Sequence, residues 1–385
     1  MKYRPINFQA GPCQLTNSVL AQAAHAIRNY DNTGMSICEI THFSDEWKEL
    51  YSNTIKISRQ FLEVPNDYYC FYMNGGATHQ FAALFYNLCD KNSKIQILVT
   101  GYWSHIAATE FEKFCNVTIV HNESVLVDSP EFCFTYFCEN ETGNCFEFRN
   151  GLKFSPKNHF LVSDMSSILG SKKIDLNKYG VVFSSLSKNL GISGSSIIIV
   201  SDDIALKGIT CPSNVNNSNE ITFGIPNPNI PRVMDWYYFI NKIGPTPNIF
   251  SIYITYINIQ NMINNGGIEY YHNLSLQKSE LFYNYIDSSQ GFYTNFVSPQ
   301  NRSRTNINFL VNNSENISKE FVEKAKQNGF IGLEHHPHDP LKGCRISLYN
   351  SINIDEIQSL IHFMELFKNL VLQNIQNNYN TISKA

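Results

Sequence analysis

The chain has 385 residues, which is enough to bury one large hydrophobic core or two smaller ones. Apolar residues make up 43% of it and charged residues only 16%, a balance typical of a globular protein and not of a disordered one. The net charge of −4 provides no basic field for nucleic acid or for an anionic membrane, so neither partner is expected.

Targeting, membrane and metal signals were sought next. No segment approaches the run of about 20 apolar residues that crosses a bilayer, and residues 1–5 contain no apolar stretch typical of a signal peptide. The ten cysteines are scattered, without a CxxC pair or metal-ligand spacing. We therefore expect a cytoplasmic protein with reduced thiols in its core and no metal.

The first half of the chain alternates helical patterns with short β-rich runs. Helices are predicted over residues 16–30, 44–64, 77–88 and 103–114. Strands are predicted over residues 69–73, 95–100, 117–121, 132–137, 160–163, 179–185 and 195–200. Strands separated by helices of this length form βαβ units, so we predict an α/β fold with a mostly parallel, buried sheet.

Residues 208–248 interrupt this alternation and are rich in Asn, Pro and Gly, which indicates a domain boundary. Beyond it the patterns predict helices near 249–265, 268–286, 318–328 and 354–373, with strands at 304–311 and 344–349. We therefore predict a large domain over residues 15–248 and a smaller α+β domain formed by residues 249–385 together with residues 1–14.

Lys188 is the strongest local signal, because it follows an apolar strand within Ser184-Ser185-Leu186-Ser187-Lys188-Asn189-Leu190-Gly191. Desolvating an ammonium group is costly, so a lysine held at a strand end has a lowered pKa and can form a Schiff base. On its own, the same pattern also fits a surface lysine that extends from a loop into water.

Asp164 ends another apolar strand, and ligands of open α/β sheets bind at such strand ends. A carboxylate there can pair with a pyridinium nitrogen, although Asp164 alone also fits a helix cap. Gly75-Gly76 joins a strand to a helix start and suits a phosphate, and the segment Thr100–Ser104 offers an aromatic residue for stacking. In this order the four features have the layout of a fold-type I pyridoxal-phosphate enzyme.

Longer segments make the resemblance specific. The chain resembles the phosphoserine aminotransferase family of class V aminotransferases from about Ile6 to Phe367. The similar segments are Ile6–Pro12, Thr33–His42, Thr100–Ser104, Asn140-Glu141-Thr142, Asp164–Ser167, Ile174-Asp175 with Tyr179-Gly180, Lys188–Gly191 and Gly343–Asn350.

The resemblance implies a fold-type I large domain with a mostly parallel seven-stranded sheet, and a homodimer with active sites at the subunit interface. It implies that pyridoxal 5'-phosphate is held by Lys188 as a Schiff base, and that Lys188 then moves a proton between the substrate and the cofactor. The other residues that it implies for the cofactor are Gly76 and Ala77 at the phosphate, Trp103 on the ring, Thr142 at the phenolic oxygen, Asp164 at the ring nitrogen, Ser187 beside Lys188, and Thr246 reaching the phosphate from the other subunit. For the substrate it implies His42, His338 and Arg345, with Arg345 at the α-carboxylate.

Four positions depart from the family pattern. Phe43 and Asp339 stand where the family has arginines for the distal anionic group of the substrate, Ser187 replaces a glutamine, and Pro245 replaces an asparagine. Each lost arginine removes charge-assisted hydrogen bonds of roughly 1.5–3 kcal/mol. Protonated histidines can partly replace them, and the available ones are His42 and the cluster at 335–338. Alternatively, another cation fills the space, namely Arg302, Arg304 or Lys342.

The resemblance leads us to expect ping-pong transamination between L-glutamate and 3-phosphohydroxypyruvate, a step of serine biosynthesis. Within the family, the alternatives are a class V aminotransferase of changed substrate specificity, another pyridoxal-phosphate reaction, or a non-catalytic homologue. Outside it, Ser185-Leu186-Ser187-Lys188 fits the Ser-x-x-Lys motif of penicillin-recognising hydrolases, although the supporting triplets are missing. The run His335-His336-Pro337-His338-Asp339 lacks the spacing of a helical metal site and fits a polar loop better.

Overall fold

The computed structural model describes residues 4–207, 229–241, 244–337 and 342–382. The helices are α1 Asn17–Arg28, α2 Asp45–Phe61, α3 Ala77–Leu88, α4 Tyr102–Phe111, α5 Asp202–Lys207, α6 Trp236–Asn241, α7 Ile249–Asn264, α8 Gly267–Ser288, α9 Glu315–Gln327 and α10 Ile354–Ile382. The strands are β1 Ile6–Asn7, β2 Tyr68–Asn74, β3 Lys94–Leu98, β4 Asn116–Val120, β5 Phe132–Cys138, β6 Asn140–Glu141, β7 Phe146–Glu147, β8 Phe160–Asp164, β9 Val181–Ser185, β10 Ser195–Ser201, β11 Tyr293–Thr294, β12 Asn306–Val311, β13 Phe330–Ile331 and β14 Cys344–Ser347.

Hydroxyl caps determine where several helices begin. The side chain of Thr16 accepts a hydrogen bond from the Val19 amide, and Ser44 caps α2 in the same way. Both residues satisfy amides that have no partner within the helix, and both helices start within a residue of their predicted positions. Ser314 caps α9 likewise, so this helix begins at Glu315, three residues before the predicted start.

The central sheet has seven strands in the order β2-β10-β9-β8-β5-β3-β4. Strand β10 runs antiparallel to both of its neighbours, whereas every other described pairing in the sheet is parallel. The predicted mostly parallel sheet is therefore confirmed. The carboxyl ends of β5, β8 and β9 lie at one edge, which places Asp164 and the chain leading to Lys188 side by side.

Helices cover both faces of this sheet. Val182 and Ile197 belong to the hydrophobic cluster that includes α2 and α7, whereas Val181 and Phe183 belong to the cluster of α3 and α4. Successive residues of a strand point to opposite faces, so one strand contributes to both clusters. Burial on both faces explains why these strands have continuous apolar sequences instead of alternating ones.

A second sheet follows the first along the chain. Strands β11, β12 and β14 form a three-stranded antiparallel sheet that packs with α8, α9 and α10, and β1 pairs in parallel with β13. The pairing of Ile6 with Phe330 supports the assignment of residues 1–14 to the smaller domain. The boundary after residue 248 stays a prediction, because part of the predicted seam lies outside the described residues.

Membrane and metal signals were also examined in the structure. Among the helices of the described ranges, none is long and apolar enough to cross a membrane. Over the same ranges, no group of three or more His, Cys, Asp or Glu side chains has an arrangement that could hold a metal ion. The nine cysteines in these ranges are free thiols, and five of them are buried.

A buried ionic network ties the β6–β7 hairpin to the segment before β12. Glu147 accepts hydrogen bonds from the backbone and side chain of Arg304, at 2.8 and 2.9 Å. Lys172 lies 2.7 Å from Glu139 and 3.5 Å from Glu147. All four side chains are buried, so each charge depends on its partners and the hairpin is held firmly.

Lys278 of α8 is a further buried basic residue, with no exposed surface. Its amine donates hydrogen bonds to the carbonyls of Tyr349 and Ile352, at 2.8 and 3.0 Å. Burial lowers the pKa of Lys278 to about 7, and Glu356 opposes the shift. The contacts fix the turn that follows β14.

Stability should therefore depend on pH through Lys278. The folded pKa of about 7 lies below the ordinary value of 10.5, so between these values the unfolded chain binds more protons and the free energy of unfolding rises with pH. The variant Lys278→Met should lose this rise, by up to about 1.4 kcal/mol per pH unit. Urea unfolding between about pH 7 and 9 measures the slope, within the window set by the two pKa values. The exposed control Lys326→Met should keep the wild-type slope, and equal slopes for wild type and Lys278→Met would contradict the prediction.

Candidate active site

Asp164 and Lys188 lie at the carboxyl edge of the central sheet. Asp164 is the last residue of β8 and stands opposite Phe183 of β9, and Lys188 follows the end of β9 by three residues. Asp164 is only 6% exposed, and its Oδ1 accepts a hydrogen bond of 2.8 Å from the Ser166 amide. The strand ends thus bring together the two residues singled out from the sequence.

The N-terminal segment covers Lys188. A Cβ atom at Gly11 would lie 2.9 Å from Lys188 Cε, so only glycine allows the backbone to come so close. The Cys13 amide donates to the Ser187 carbonyl at 2.9 Å, and its thiol donates to the Lys188 carbonyl. Lys188 Nζ lies 5.8 Å from the centroid of the Tyr349 ring. Together these groups limit the access of water to the amine.

Burial of the amine favours its neutral form. Burial, together with the nearby Arg345 guanidinium, lowers the pKa of Lys188 to about 8, whereas Asp164 and Cys13 oppose the shift. Burial in turn raises the pKa of Asp164, and hydrogen bonds from Ser166 counteract this. A pKa of about 8 leaves roughly a tenth of the amine unprotonated at pH 7, far more than in an ordinary lysine, and this form can act as a nucleophile or a base.

Gly75 and Gly76 form an open turn before α3. Gly75 has a φ of +90°, and Gly76 occupies the N-cap position of α3 without a side-chain cap. A Cβ atom at Gly76 would lie 3.9 Å from the Ser185 hydroxyl, which is 3.0 Å from the Ser187 hydroxyl. The uncapped amides at the start of α3, where Ala77 is the first residue, and the two hydroxyls therefore suit an anion.

The aromatic and substrate-side residues lie on neighbouring elements. Trp103 is the second residue of α4 and is half-buried, whereas Thr142 directly follows β6 and is 5% exposed. Arg345 of β14 donates a hydrogen bond of 3.3 Å from Nη1 to the Thr142 carbonyl. Its Nε is buried and has no partner in the described part of the chain, so it can serve an incoming acceptor.

Of the remaining predicted residues, Thr246 lies beside the glycine turn, His42 lies apart from the site, and His338 lies outside the described ranges. The Thr246 carbonyl accepts a hydrogen bond of 2.8 Å from Asn74 at the end of β2, beside the glycine turn of the same chain. His42 lies between α1 and α2 with its ring centroid 4.0 Å from that of Phe43, and none of its contacts in the described ranges reaches Lys188. His338 and Asp339 lie outside the described residues.

Two of the three cations named as alternatives for the anion pocket, Arg302 and Arg304, are already paired tightly with carboxylates, whereas Lys342 stays a prediction. Arg302 binds Asp287 through two hydrogen bonds of 2.6 and 2.8 Å, and Arg304 binds the buried Glu147. Lys342 lies 3.9 Å from Glu315. The bidentate pair of Arg302 and the buried pair of Arg304 indicate that both arginines have structural roles.

The sequence did not indicate the role of Glu141, and it placed His336 only within a cluster of candidate anion ligands. Glu141 is fully buried, and its carboxylate binds the amides of Trp103 and Ser104. His336 packs with its ring centroid 4.7 Å from Tyr102 and 6.3 Å from Trp103. Glu141 stood within the motif that drew attention to Thr142, but nothing in the motif indicated its partners. The 335–338 cluster was noted only as an anion or metal candidate.

With the geometry established, comparison with known proteins identifies the family. A sequence profile of the family described as "Aminotransferase class-V" matches residues 6–360. The chain belongs to the class-V aminotransferases. Among its relatives, this class-V chain is 32% identical to phosphoserine aminotransferase of Haemophilus ducreyi, over 94% of the chain and 97% of that protein. It is 31% identical to chloroplastic phosphoserine aminotransferase 1 of Arabidopsis thaliana, over 95% and 83%.

Solved structures of this family have the same fold. Phosphoserine aminotransferase from Bacillus circulans subsp. alkalophilus superposes with a TM-score of 0.84 at 28% identity, covering 95% of this chain and 99% of that one. The pyridoxal-phosphate-bound enzyme from Trichomonas vaginalis gives 0.82 at 27% identity, covering 94% and 100%. The chain is therefore a pyridoxal-phosphate-dependent aminotransferase of fold type I, and the predicted family, fold class and cofactor are confirmed.

The residues at the sheet edge fit this cofactor. A phosphate suits the uncapped start of α3, and a protonated ring nitrogen suits the buried carboxylate of Asp164. The unpartnered Arg345 Nε suits the carboxylate of an amino acid. These are the three charged or polar parts that a cofactor with a bound substrate presents.

The pKa of Lys188 should respond in opposite directions to its two charged neighbours. Arg345→Met removes a cation and should raise it above about 8, whereas Asp164→Asn removes an anion and should lower it. Only the unprotonated amine captures pyridoxal phosphate, so the rate of capture by the apoprotein should rise with pH through this pKa. Stopped-flow absorbance across pH measures the midpoint, with Lys326→Met as a control for loss of a distant charge. Shifts in the same direction for both variants would contradict the assignment.

Proposed function

We propose that the chain catalyses ping-pong transamination between L-glutamate and 3-phosphohydroxypyruvate, the reaction expected for serine biosynthesis. The observation that carries the proposal is the juxtaposition of the low-pKa amine of Lys188 with Asp164 and Arg345. Relatives at 31 and 32% identity over nearly the whole chain bear the name phosphoserine aminotransferase, which supports this reaction over the others open to the cofactor.

Lys188 and Asp164 have the central roles in the proposal. Once bound, pyridoxal phosphate supplies an electron-withdrawing ring that weakens the bonds at the α-carbon of an amino acid. Lys188 would hold the cofactor until the substrate amino group takes its place, and the freed amine would then carry the α-proton of the substrate to the cofactor side. Asp164 keeps the ring nitrogen protonated, and its burial strengthens that ion pair because water is largely excluded.

The remaining residues orient and bind. The amides of Gly76 and Ala77 and the hydroxyl of Ser187 receive the cofactor phosphate, as supported by the uncapped start of α3. Trp103 stacks on the ring and Thr142 bonds the phenolic oxygen. These positions follow from the family resemblance, and the hydrogen bond from Arg345 to the Thr142 carbonyl supports that of Thr142.

Arg345 binds the α-carboxylate of the substrate. Its guanidinium is anchored at one nitrogen by the Thr142 carbonyl, whereas the buried Nε is left for an acceptor. A fixed guanidinium binds a carboxylate through two parallel hydrogen bonds, and this selects one orientation of the amino acid. The α-hydrogen is thereby directed toward the amine of Lys188.

The distal phosphate of the substrate has no arginine at position 43 in this chain. The proposal therefore assigns it to histidines, with His42 and His338 as predicted. His336 is added because its ring lies against Tyr102 and near Trp103. An imidazole carries less positive charge than a guanidinium near neutral pH, so the histidines would hold the phosphate less strongly than the arginines of the family pattern.

Two alternatives within the family are less well supported. A changed substrate specificity rests on Phe43 and Asp339, whereas the relatives' names favour the phosphoserine reaction. A non-catalytic homologue has no need to retain Lys188, Asp164 and Arg345 with their mutual electrostatic coupling.

A homodimer completes the proposed site. Leu20 and Ile27 lie seven positions apart on α1, hence on one face, and are 39 and 46% exposed. Met35 and Phe43, in the following segment, are 42 and 72% exposed. Such apolar exposure is typical of a subunit interface. Thr246 reaches the phosphate of the other subunit in this arrangement, as the resemblance implies.

Free, mostly buried thiols support a reducing, cytoplasmic location.

The first test of the reaction is a half-reaction with purified holoprotein. The yellow absorbance of the lysine-bound cofactor should disappear on addition of phosphoserine or glutamate, and little on addition of other amino acids. Absorbance titration with single amino acids measures the response, and serine serves as the control that lacks only the phosphate. Bleaching by another amino acid with phosphoserine silent would establish the changed specificity instead, and a protein unable to take up pyridoxal phosphate would refute the mechanism.

The second test concerns the dimer. Sedimentation equilibrium should give about twice the chain mass of 44.0 kDa. Ile27→Asp places a charge on the apolar face of α1 and should shift the protein toward the monomer and reduce cofactor retention. The matched control is Leu370→Asp on α10, whose side chain is 43% exposed. A monomeric wild-type protein, or a monomer produced only by the control, would contradict the proposed interface.

A further inference from the structure

We propose that Glu141 is a positioning residue that locks the start of α4, with Trp103, to the hairpin that carries Thr142. The proposal rests on the proposed roles of Trp103 and Thr142 at the cofactor. It adds that one buried carboxylate fixes the position of Trp103 relative to Thr142 and Arg345. Glu141 itself contacts neither cofactor nor substrate in this scheme.

The carboxylate of Glu141 binds the first turn of α4 with both oxygens. Oε2 accepts a hydrogen bond of 3.0 Å from the Trp103 amide, and Oε1 accepts one of 2.8 Å from the Ser104 amide. The Ser104 hydroxyl donates to Oε1 as well. Glu141 has no exposed surface, so these donors provide the hydrogen bonds that water would otherwise make to its carboxylate.

Ser104 extends the lock to the preceding turn. Its hydroxyl accepts hydrogen bonds from the amides of Thr100 and Gly101, at 2.9 and 3.1 Å. A hydroxyl can accept from these amides while donating to Glu141, so one network holds the end of β3 and the start of α4. The backbone that carries Trp103 is thereby fixed on both sides.

The sequence leaves this helix dependent on a distant cap. Gly101 is the N-cap residue of α4 and has no side chain with which to satisfy the free amides. A Cβ atom at Gly101 would lie 2.7 Å from the Glu141 carboxyl carbon, so the approach of Glu141 requires glycine there. The carboxylate also lies at the positive end of the helix dipole, where negative charge is favoured.

The hairpin side of the lock is equally constrained. Asn140 donates hydrogen bonds to Ser167 and Asn306, at 2.7 and 3.0 Å. On the other side of Glu141, the Thr142 carbonyl accepts the hydrogen bond from Arg345. A displacement of Glu141 would therefore move Trp103 relative to Thr142 and Arg345.

The decisive variant is Glu141→Gln. This substitution keeps the shape of the side chain. Its NH2 group, however, faces the backbone amide of Trp103 or Ser104, and two donors cannot form a hydrogen bond. Amide hydrogen exchange of the apoprotein should become faster at Trp103 and Ser104, and the affinity for pyridoxal phosphate should fall about tenfold or more, as expected for loss of one charge-assisted hydrogen bond. The induced circular dichroism of bound cofactor should also decrease. The matched control is Glu112→Gln, an exposed residue at the other end of the same helix, which should change none of these values.

Two further variants keep the test informative. Ser104→Ala removes the hydroxyl that donates to Glu141 and accepts from the Thr100 and Gly101 amides, and it should speed exchange in the same segment even if Glu141→Gln fails to fold. Gly101→Ala should push the carboxylate away and reproduce the faster exchange. The proposal would be overturned if Ser104→Ala and Gly101→Ala fold and keep the wild-type amide exchange, affinity for pyridoxal phosphate and circular dichroism. Since these measurements use only the apoprotein and pyridoxal phosphate, failure of the phosphoserine reaction would leave their result unaffected.

Discussion

Removing the amine of Lys188 from water is energetically costly, and much of the surrounding structure compensates for that cost. The amine follows a strand whose residues are all buried, and it lies between a cation, Arg345, and an anion, Asp164. Burial and Arg345 lower its pKa, whereas Asp164 and Cys13 limit the shift. Gly11 and Cys13 also cover the lysine with backbone and thiol. A reactive amine near neutral pH is thus a property of the whole sheet edge.

The fold was largely predictable because its signals are local. Apolar runs, hydroxyl caps and glycine turns indicated most helices and strands of the central sheet, and the carboxyl-edge rule placed Asp164 and Lys188 together. The start of α9 was misplaced because Ser314 was not recognised as its cap. The two-residue strands β6 and β7 were missed, since a pattern of period two cannot be recognised in so few residues.

The support of the site was not predictable, because it depends on contacts between residues far apart in sequence. Glu141 binds α4 nearly 40 residues upstream, and neither its type nor its spacing indicates that partner. Arg302 and Arg304 were considered as anion ligands because free charge and paired charge look alike in a sequence. The structure distinguishes them, since Asp287 and Glu147 already occupy both guanidiniums. His338 and Asp339 lie outside the described residues, so position 339 stays a prediction from the family pattern.

The pairing of β1 with β13 has a consequence for how the enzyme is assembled. Ile6 meets Phe330, so the residues that cover Lys188 from the N-terminal side are anchored by a strand near the end of the chain. During synthesis, the central sheet can therefore form long before Lys188 acquires its cover. Contacts between such distant positions form late and slowly, because the intervening chain must first be ordered. The chemistry of Lys188 therefore depends on a contact that can close only after β13 has been synthesised.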